Sequence, residues 1–383
     1  MIVTPPSSSP TFIACGARSG STLLRRLLDS HPAITCPAET DFALLMEAFL
    51  RTGGVLLGAD GGSAPNPLLA EARGVIDGLA SRHLERVGKD RWCDKSLSNV
   101  LHLDTIAAAW PDARFILLHR HVMDFIASAL DAQPWGLSEF GFASFAADAP
   151  SDPVNALAAY WLDRTYRLLA FEQAHPQRCL SLRYEDLVAR TDEVFEMLWG
   201  FLKVSPEPDA VARAFQPRDN RASRTGSAGR GDNKTWYTSG VHSQSVGRGA
   251  RIPAQRIKPT ALTAVNDLGR RLGYGPIGRD WGAGGPVPGP EAKPDTLEVR
   301  VVRGYGTAWT ETVPLPPSVA GPAVAAVDED IVAGLRDGEA NLADLTRAGR
   351  LRYYGPPFPD PETEHGLFRQ VATLVAQISE ASA

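Results

Sequence analysis

A glycine-containing turn near the start of the chain has the composition of an anion-binding loop. The apolar run Thr11–Cys15 predicts a strand, and the leucine-rich segment that follows Ser21 predicts an amphipathic helix. Between the two, Gly16 and Gly20 allow the backbone to bend closely around a ligand. A helix N-terminus with hydroxyl groups attracts anions, and the guanidinium of Arg18 adds a positive fork. The pattern favours a phosphate or sulfate site, and an ordinary strand-to-helix turn with capping residues is the alternative.

Residues 16–22, which we call the anion loop, belong to a chain in which predicted strands and helices alternate. The predicted strands after the loop are Arg91–Lys95, Arg114–His119 and Cys179–Tyr184. This alternation predicts an α/β fold with a parallel sheet that is covered by helices. Ligands of such sheets bind at the carboxyl ends of the strands, so we expect the candidate side chains at those ends to form one site. These side chains are Arg18, Lys95, Arg120 and Tyr184.

Composition and charge exclude several other classes of protein. The chain has 383 residues, 44% of them hydrophobic, and a formal net charge of −5, so a sizeable core can form and nucleic acid is not an expected partner. The N-terminal segment lacks the basic and apolar regions of a signal peptide, and no run approaches the ~20 apolar residues of a membrane span. We therefore expect a cytoplasmic protein. Cys15, Cys36, Cys93 and Cys179 lack C-x-x-C spacing, which predicts neither a zinc site nor a disulfide framework.

Three segments of the chain follow an order that is typical of one enzyme family. They are the anion loop, the stretch Arg114–Arg120 with Ser128 eight residues after it, and the stretch Leu182–Leu187. Together they resemble the sulfotransferases that use 3′-phosphoadenosine-5′-phosphosulfate (PAPS), and the resemblance covers about residues 10–275. It implies the sulfotransferase fold, in which helices flank a parallel sheet and a phosphate-binding loop. It also implies PAPS as the co-substrate, PAP as the product and no metal.

Within this family the chain most resembles the tyrosylprotein-sulfotransferase-like and bacterial branch. The segments that follow the order of this branch are residues 18–24, 29–32, 36–40 and 93–95. In the branch, the acidic residue at the position of Glu39 is the catalytic base. The lysine at the position of Lys95 lies beside the transferring sulfuryl group. The cysteines at the positions of Cys36 and Cys93 are paired in secretory members, so we expect these two thiols to lie close together here, in the reduced form.

The chemistry of sulfuryl transfer requires residues of these types. The reaction is an in-line displacement with a loose, charge-spread transition state, like phosphoryl transfer. The carboxylate of Glu39 can accept the proton that the acceptor hydroxyl loses. Negative charge grows on the bridging oxygen of the leaving nucleotide, where Lys95, Arg18 and the N–H groups of the loop can meet it. The predicted catalytic residues are therefore Glu39, Lys95 and Arg18.

The nucleotide requires further contacts. The anion loop is expected to bind the phosphosulfate through Arg18, Ser19, Gly20, Ser21 and Thr22. Arg120 after a strand and Ser128 on the next helix can converge on the 3′-phosphate. Tyr184 can hydrogen-bond or stack near the nucleotide. The stretch Val246–Gly249 resembles the family's late phosphate-contacting loop and adds Arg248. It lies in a basic segment, residues 216–258, that is either a lid or a solvated loop.

Each of these assignments has a structural alternative. Glu39 could complete a helix N-terminus, and Lys95 could be a surface charge. Ser128 and Tyr184 could belong to the core. Three histidines match no catalytic position of the branch, and structural roles are expected for them. They are His31, His119 and His121.

The acceptor stays open among small molecules, lipids, sugars and peptides that carry a hydroxyl group. Asp41 replaces a basic residue of the peptide-directed members, so a tyrosyl peptide is not favoured over the other compounds. A phosphate-loop kinase-like transferase is one rival, which the loop disfavours because it has no lysine before Ser21. A non-catalytic module that binds PAP or a lipid is the other rival. A homo-oligomer is also open.

The composition of the chain changes near residue 282. Residues 282–294 are rich in proline and glycine and predict a linker. Residues 1–281 would form the PAPS-dependent sulfotransferase domain, and residues 295–383 predict a small α+β appendage. In the appendage, residues 338–355 faintly resemble the end of a sterol-carrier-type lipid-binding domain. A module for interaction, or for shaping the acceptor site, is the alternative.

Overall fold

The computed structural model describes most of the chain. The described residues are 9–57, 67–133, 136–149, 152–215, 240–241, 243, 245–278, 281, 296–303, 306–319, 323–328, 332–336, 351–354 and 360–378. The chain divides into two units, Met1–His121 with Arg164–Ser243 and Val122–Asp163 with Gln244–Ala383. One of the division points falls inside a long helix, Pro153–Ala174.

Helices and strands alternate along the first 215 residues, as the sequence predicts. The helices of the described residues, in chain order, are α1 (Ser21–Asp29), α2 (Phe42–Leu57), α3 (Pro67–Val87), α4 (Leu103–Ala109), α5 (Val122–Ala132), α6 (Ala143–Asp148), α7 (Pro153–Ala174), α8 (Tyr184–Ala189), α9 (Thr191–Leu202), α10 (Ala210–Phe215), α11 (Pro259–Arg271), α12 (Val332–Arg336) and α13 (Pro361–Ile378). Short 3₁₀ helices include Leu97–Leu101 and Arg248–Arg251.

A five-stranded parallel sheet forms the centre of the first unit. Its strands are β1 (Thr11–Cys15), β2 (Ile34–Thr35), β3 (Arg91–Lys95), β4 (Arg114–His119) and β5 (Cys179–Arg183). Their order is β2-β3-β1-β4-β5, and all neighbours pair in parallel. The register places Ile13 of β1 beside Lys95 of β3 and Ile116 of β4. The carboxyl ends of these strands therefore meet at one edge, and the predicted α/β fold is confirmed.

Two apolar layers bury the two faces of this sheet. Ile13 and Cys15 belong to one layer, together with the buried leucines of α1 and residues of α9. Phe12 belongs to the other layer, where its ring centroid lies 5.5 Å from that of Trp92 and 5.7 Å from that of Phe115. The layers alternate along β1 because successive side chains of a strand point to opposite faces. Burial on both faces explains why β1 and β4 are largely apolar runs in the sequence.

The second unit contains α5, the first part of α7 and α11. The ring of Phe125 on α5 stacks on Tyr160 of α7 with centroids 5.7 Å apart. Asn155 of α7 holds the segment that precedes α11, since its amide donates to the carbonyl of Arg256 at 2.8 Å and accepts from the backbone N–H of Lys258 at 2.8 Å. The amide thus fixes the chain just before α11 begins.

A mixed four-stranded sheet lies in the C-terminal part of the second unit. Its strands are β6 (Thr296–Arg303), β7 (Gly306–Pro314), β8 (Ala323–Asp328) and β9 (Leu351–Tyr354), in the order β7-β6-β8-β9. β6 is antiparallel to β7 and parallel to β8, and β9 is antiparallel to β8. Residues of α13 such as Val371 share a buried core with Val299 and Val327. This arrangement is α+β, although the sequence predicts no element at β8 or α13.

Several predictions concern residues outside the described ranges. The linker at 282–294, residues 216–239 of the basic segment and residues 338–350 of the sterol-carrier-like stretch are among them. The division into residues 1–281, 282–294 and 295–383 therefore stays a prediction. Within the described part of the chain, no helix combines the length and the hydropathy that crossing a bilayer requires.

Candidate active site

The anion loop takes its shape from unusual backbone angles. Arg18 and Gly20 have φ angles of 58° and 89°. These angles lie in the left-handed region, which residues other than glycine rarely adopt. Gly20 is the N-cap residue of α1, and its carbonyl accepts the first helical bond from the N–H of Leu24 at 3.1 Å. Ser19 and Ser21 are buried. The loop therefore presents the N-terminus of α1 as the sequence predicts.

Tyr184 lies directly over this loop. A Cβ atom built on Gly20 would stand 2.3 Å from Cδ2 of the Tyr184 ring, which is far inside van der Waals contact. Glycine is thus required at position 20 for two reasons, its φ angle and the ring above it. Tyr184 is 6% exposed and is the first residue of α8, after the carboxyl end of β5.

Arg120 joins the loop to the end of β4. Its Nη1 donates to the carbonyl of Arg18 at 2.8 Å, and its guanidinium carbon lies 4.6 Å from the centroid of the Tyr184 ring. The side chain is buried, with 4% exposure. The structure therefore brings Arg18, Arg120 and Tyr184 together, as the sequence predicts from their places after strands.

Lys95 and Glu39 form a buried ion pair at the neighbouring strand end. Lys95 Nζ contacts Glu39 Oε1, and the two side chains are only 3% and 15% exposed. Lys95 is thus not a surface charge. The thiol of Cys15 connects this pair to the anion loop, because it is hydrogen-bonded to Ser21 and lies within electrostatic reach of Lys95 and Glu39. Burial nevertheless raises the pKa of Cys15 to about 11, so the thiol is neutral.

Polar side chains that follow β3 hold the turn that carries Glu39. We call residues 39–41 the carboxylate turn. The hydroxyl of Thr40 donates to Asp94 Oδ1, and Ser96 Oγ accepts the backbone N–H groups of Thr40 at 3.1 Å and Asp41 at 2.9 Å. Asp94 and Ser96 are not among the site residues predicted from the sequence. The signal that could have found them is a run of polar residues, 94–96, at the end of a strand buried on both faces.

The histidines have structural surroundings. Burial lowers the pKa of His119 to about 4, so its ring is neutral at pH 7, and neither ring nitrogen has a hydrogen-bond partner among the residues that the structure describes. The ring of His31 accepts the N–H of Ala33 at 3.0 Å and lies 3.1 Å from the carbonyl of Ser205. The backbone N–H of His121 donates to Glu185 Oε1 at 2.9 Å.

The thiols of Cys36 and Cys93 lie close together, as expected. Both are fully buried free thiols. The pKa of Cys93 is raised well above its ordinary value, first by burial and then by its hydrogen bond with Cys36. Neither thiol is exposed to solvent, and the raised pKa of Cys93 keeps that thiol protonated.

Ser128 and Arg248 belong to the second unit. Arg248 Nη2 donates to Asp131 Oδ2 at 2.6 Å. The loop around Arg248 is anchored on α5, because Asp124 accepts the N–H groups of Gly247 at 2.8 Å and Gly249 at 2.6 Å. Positions 124, 128 and 131 share one face of α5 by helical spacing. Arg248 therefore lies along the face that carries Ser128. Asp124 and Asp131 are not among the site residues predicted from the sequence.

Comparison with known proteins identifies the family. A family model described as the sulfotransferase family matches residues 10–208, a range that contains the whole parallel sheet. The nodulation protein NoeE of Sinorhizobium fredii is 30% identical over 227 residues, which are 55% of this chain and 53% of NoeE. Protein-tyrosine sulfotransferase 1 of Danio rerio is 25% identical over 205 residues, which are 52% of this chain and 54% of that protein. The chain thus spans about half the length of these curated relatives.

A solved structure has the same fold. The sulfotransferase domain from the curacin biosynthetic pathway superposes with a TM-score of 0.50 at 18% identity, over 70% of this chain and 99% of that domain. At this identity the likeness concerns the fold alone. The family match covers about half of the chain, including the anion loop, the carboxylate turn and the ends of β3, β4 and β5. The chain therefore belongs to the sulfotransferase family.

Proposed function

We propose that this protein transfers a sulfuryl group from PAPS to a hydroxyl acceptor by in-line displacement, with Glu39 as the base. The observation that carries the proposal is the buried Lys95–Glu39 ion pair next to the anion loop. A buried ammonium group and a mostly buried carboxylate supply a positive charge and a proton acceptor at one place. Those are the two groups that transfer from a sulfate donor to a hydroxyl requires.

The anion loop would bind the 5′-phosphosulfate end of PAPS. The N–H groups at the start of α1, the hydroxyls of Ser19, Ser21 and Thr22, and the guanidinium of Arg18 are the donors available there. This binding requires no metal, because the positive charge comes from side chains and from the helix N-terminus. We therefore expect the protein to transfer sulfuryl groups in the presence of a chelator.

Proton transfer is the task of Glu39. As the acceptor oxygen attacks sulfur, its proton moves to a carboxylate oxygen of Glu39, and the bond between sulfur and the bridging oxygen of PAP breaks. Lys95 then stabilises the negative charge that develops on that bridging oxygen. Before reaction, the contact with Lys95 keeps Glu39 at the end of β3.

The 3′-phosphate would be bound by arginines and a hydroxyl. Arg120, Ser128 and Arg248 are the proposed ligands, and Tyr184 would shield the nucleotide end of the anion loop. An arginine fork suits a phosphate dianion, and a preference for this phosphate would separate PAPS from donors of the ATP type. The acceptor stays open among small-molecule, lipid, sugar and peptide hydroxyls, in a protein that we expect to be cytoplasmic.

Replacement of Glu39 tests the proposal. Glu39→Gln should keep the affinity for PAP within a few-fold and lower turnover by about 100-fold or more, because the base is lost and the shape is retained. PAP affinity is measured by isothermal titration in EDTA, and transfer by mass spectrometry of +SO₃ products after incubation with PAPS and a cell extract. Glu47→Gln is the matched control, since Glu47 lies on α2 with its side chain 58% exposed. Full transfer by Glu39→Gln would show that the base assignment is wrong.

The same titration separates the two rival functions. Tight binding of PAP without magnesium excludes the kinase-like transferase, whereas binding of ATP only with magnesium would support it. PAP binding without any sulfated product would support a non-catalytic binding module. The buried Lys95–Glu39 pair favours catalysis, because a binding module gains nothing from a carboxylate beside an anion site.

A further inference from the structure

The carboxylate turn is fixed by side chains rather than by the sheet. The strand before it, β2, has only two residues, Ile34 and Thr35, so ladder hydrogen bonds end six residues before Asp41. Asp41 also has a φ angle of 53°, a conformation that costs free energy for a residue other than glycine. Contacts from elsewhere must therefore hold the turn in place.

Those contacts come from a group that we call the turn clamp, which consists of Asp94, Ser96 and Asn99. Asp94 accepts from the hydroxyl of Thr40, from Ser96 Oγ at 3.2 Å and from Asn99 Nδ2 at 2.8 Å. Asn99 Nδ2 also donates to the carbonyl of Ile13 at 3.1 Å. The clamp thus ties the turn to β3 and to β1, the strand that leads into the anion loop.

The clamp is unusually buried for a polar group. Asp94 is 1% exposed, and Ser96 and Asn99 are fully buried. Burial of a carboxylate is costly unless donors satisfy it, and here three side chains donate to Asp94. A buried polar group that is satisfied by hydrogen bonds makes the surrounding segment rigid and specifies one arrangement of it. The geometry defined here is that of Thr40, the residue next to Glu39.

We propose that Thr40, through its hydroxyl bond to Asp94, is a positioning residue that aims the Glu39 carboxylate at the acceptor hydroxyl. This inference rests on the proposed function, because it presupposes that Glu39 is the base. Thr40 does not touch the reacting atoms. It acts by keeping Glu39 in the place where Lys95 also meets it, so that the base needs no reorientation when the acceptor binds.

Removal of the hydroxyl tests this role. Thr40→Val should lower kcat by about 30-fold, since small misplacements of a catalytic group cost one to two orders of magnitude. The affinity for PAP and the KM for PAPS should stay within about twofold. Thr40→Ser restores the hydroxyl and should recover kcat to within about threefold of the parent. Thr35→Val is the control, because it removes the hydroxyl of a neighbouring threonine that bonds to Asp29 and His83 instead of Asp94.

A double variant distinguishes positioning from a general loss of structure. In the Glu39→Gln background, Thr40→Val should have almost no further effect on kcat, because there is no base left to aim. If Thr40→Val lowers kcat by the same factor in both backgrounds, or if Thr40→Ser fails to rescue a folded protein, the inference is overturned. If Glu39→Gln itself keeps full activity, the proposed function fails instead, so the two failures are distinguishable.

A second variant covers the case in which Thr40→Val does not fold. Ser96→Ala removes the acceptor of two backbone N–H groups of the turn and leaves Thr40 intact. It should lower kcat by about 10-fold with PAP affinity retained, and the loss should again vanish in the Glu39→Gln background. Unchanged kcat in Ser96→Ala would contradict the clamp.

Discussion

The anion loop and the carboxylate turn follow strands of the same parallel sheet, yet they are held in different ways. The anion loop owes its shape to left-handed backbone angles at Arg18 and Gly20 and to a bond from Arg120 to the carbonyl of Arg18. The carboxylate turn is held by side chains that lie 54 to 57 residues further along the chain. The shape of the anion loop thus depends mainly on residues close together in the sequence. The shape of the carboxylate turn depends on contacts that form only when distant parts of the chain fold together.

The largest effect is expected from a substitution in the anion loop. Gly20→Ala adds a Cβ atom 2.3 Å from the Tyr184 ring at a φ angle of 89°. Strain and overpacking together should weaken PAP binding by about 100- to 1,000-fold, because the loop or the ring must move. Isothermal titration measures the loss.

Gly88→Ala is the control for Gly20→Ala. Gly88 has a φ angle of 66° and open space around the site of its Cβ atom, so it carries the backbone strain without the overlap. PAP affinity should be unchanged in this variant. Normal binding by Gly20→Ala would mean that the shape of the anion loop does not depend on its backbone in the way described.

Two buried titratable groups at the ends of β3 and β4 also differ in their partners, which predicts a pH effect on stability. Asp94 accepts from three side chains, whereas His119 has no partner in the described part of the chain and a pKa lowered by burial from 6.5 to about 4. The unfolded chain therefore binds a proton below about pH 6.5 that the folded chain binds only below about pH 4. The free energy of unfolding is therefore undiminished by His119 above pH 6.5. It falls by up to about 3 kcal/mol as the pH falls from 6.5 towards 4.

Denaturant unfolding at a series of pH values measures this loss. His119→Gln should remove most of the slope of the unfolding free energy between pH 6.5 and 4, because the titrating group is gone. His175→Gln, at a less buried histidine, should leave the slope unchanged. An identical slope in His119→Gln and in the parent would show that His119 is not the group responsible.

A smaller effect is expected from the arginine that joins the anion loop to β4. A lysine in place of Arg120 cannot donate to the Arg18 carbonyl and stack on Tyr184 at the same time. Arg120→Lys should therefore weaken PAP binding by about 30-fold while the fold is retained. Arg114→Lys is the matched control at the other end of β4, where Arg114 lies over the ring of Phe201, and it should not alter PAP affinity.

The smallest effect is expected in the second unit. The contact of interest there is a partly exposed ion pair rather than a buried one. Arg248 and Asp131 are 33% and 30% exposed, and Asp131 shares a face of α5 with Ser128. Asp131→Asn should tighten PAP binding by about threefold, because it removes a carboxylate that competes with phosphate for Arg248. Asp267→Asn removes the partner of Arg270 in an exposed pair on α11 and should leave affinity unchanged. Weaker binding in Asp131→Asn would contradict a phosphate role for Arg248.

Strands that can be recognised from a short stretch of sequence are predicted correctly. β1 and β4 are largely apolar runs, and β3 and β5 are short segments that end on a polar residue, so their type and their shared edge follow from pattern alone. β8 was missed because alanine, which is depleted in strands, makes up half of the segment Ala323–Asp328. It is a strand because it pairs with β6 and β9, which is a tertiary reason.

The candidate site divides along the same line. Glycine at position 20, hydroxyls at the start of a helix and arginines after strands are requirements of the backbone and of anion chemistry, so the sequence by itself determined the anion loop. Only the tertiary structure decided that Tyr184 covers Gly20, that Arg248 meets Asp131, and that the turn clamp holds Thr40. The physical reason is that hydrogen bonds between residues far apart in the chain depend on strand order. Here β3 lies between β2 and β1, and this places Asp94 and Ser96 beside Glu39's turn.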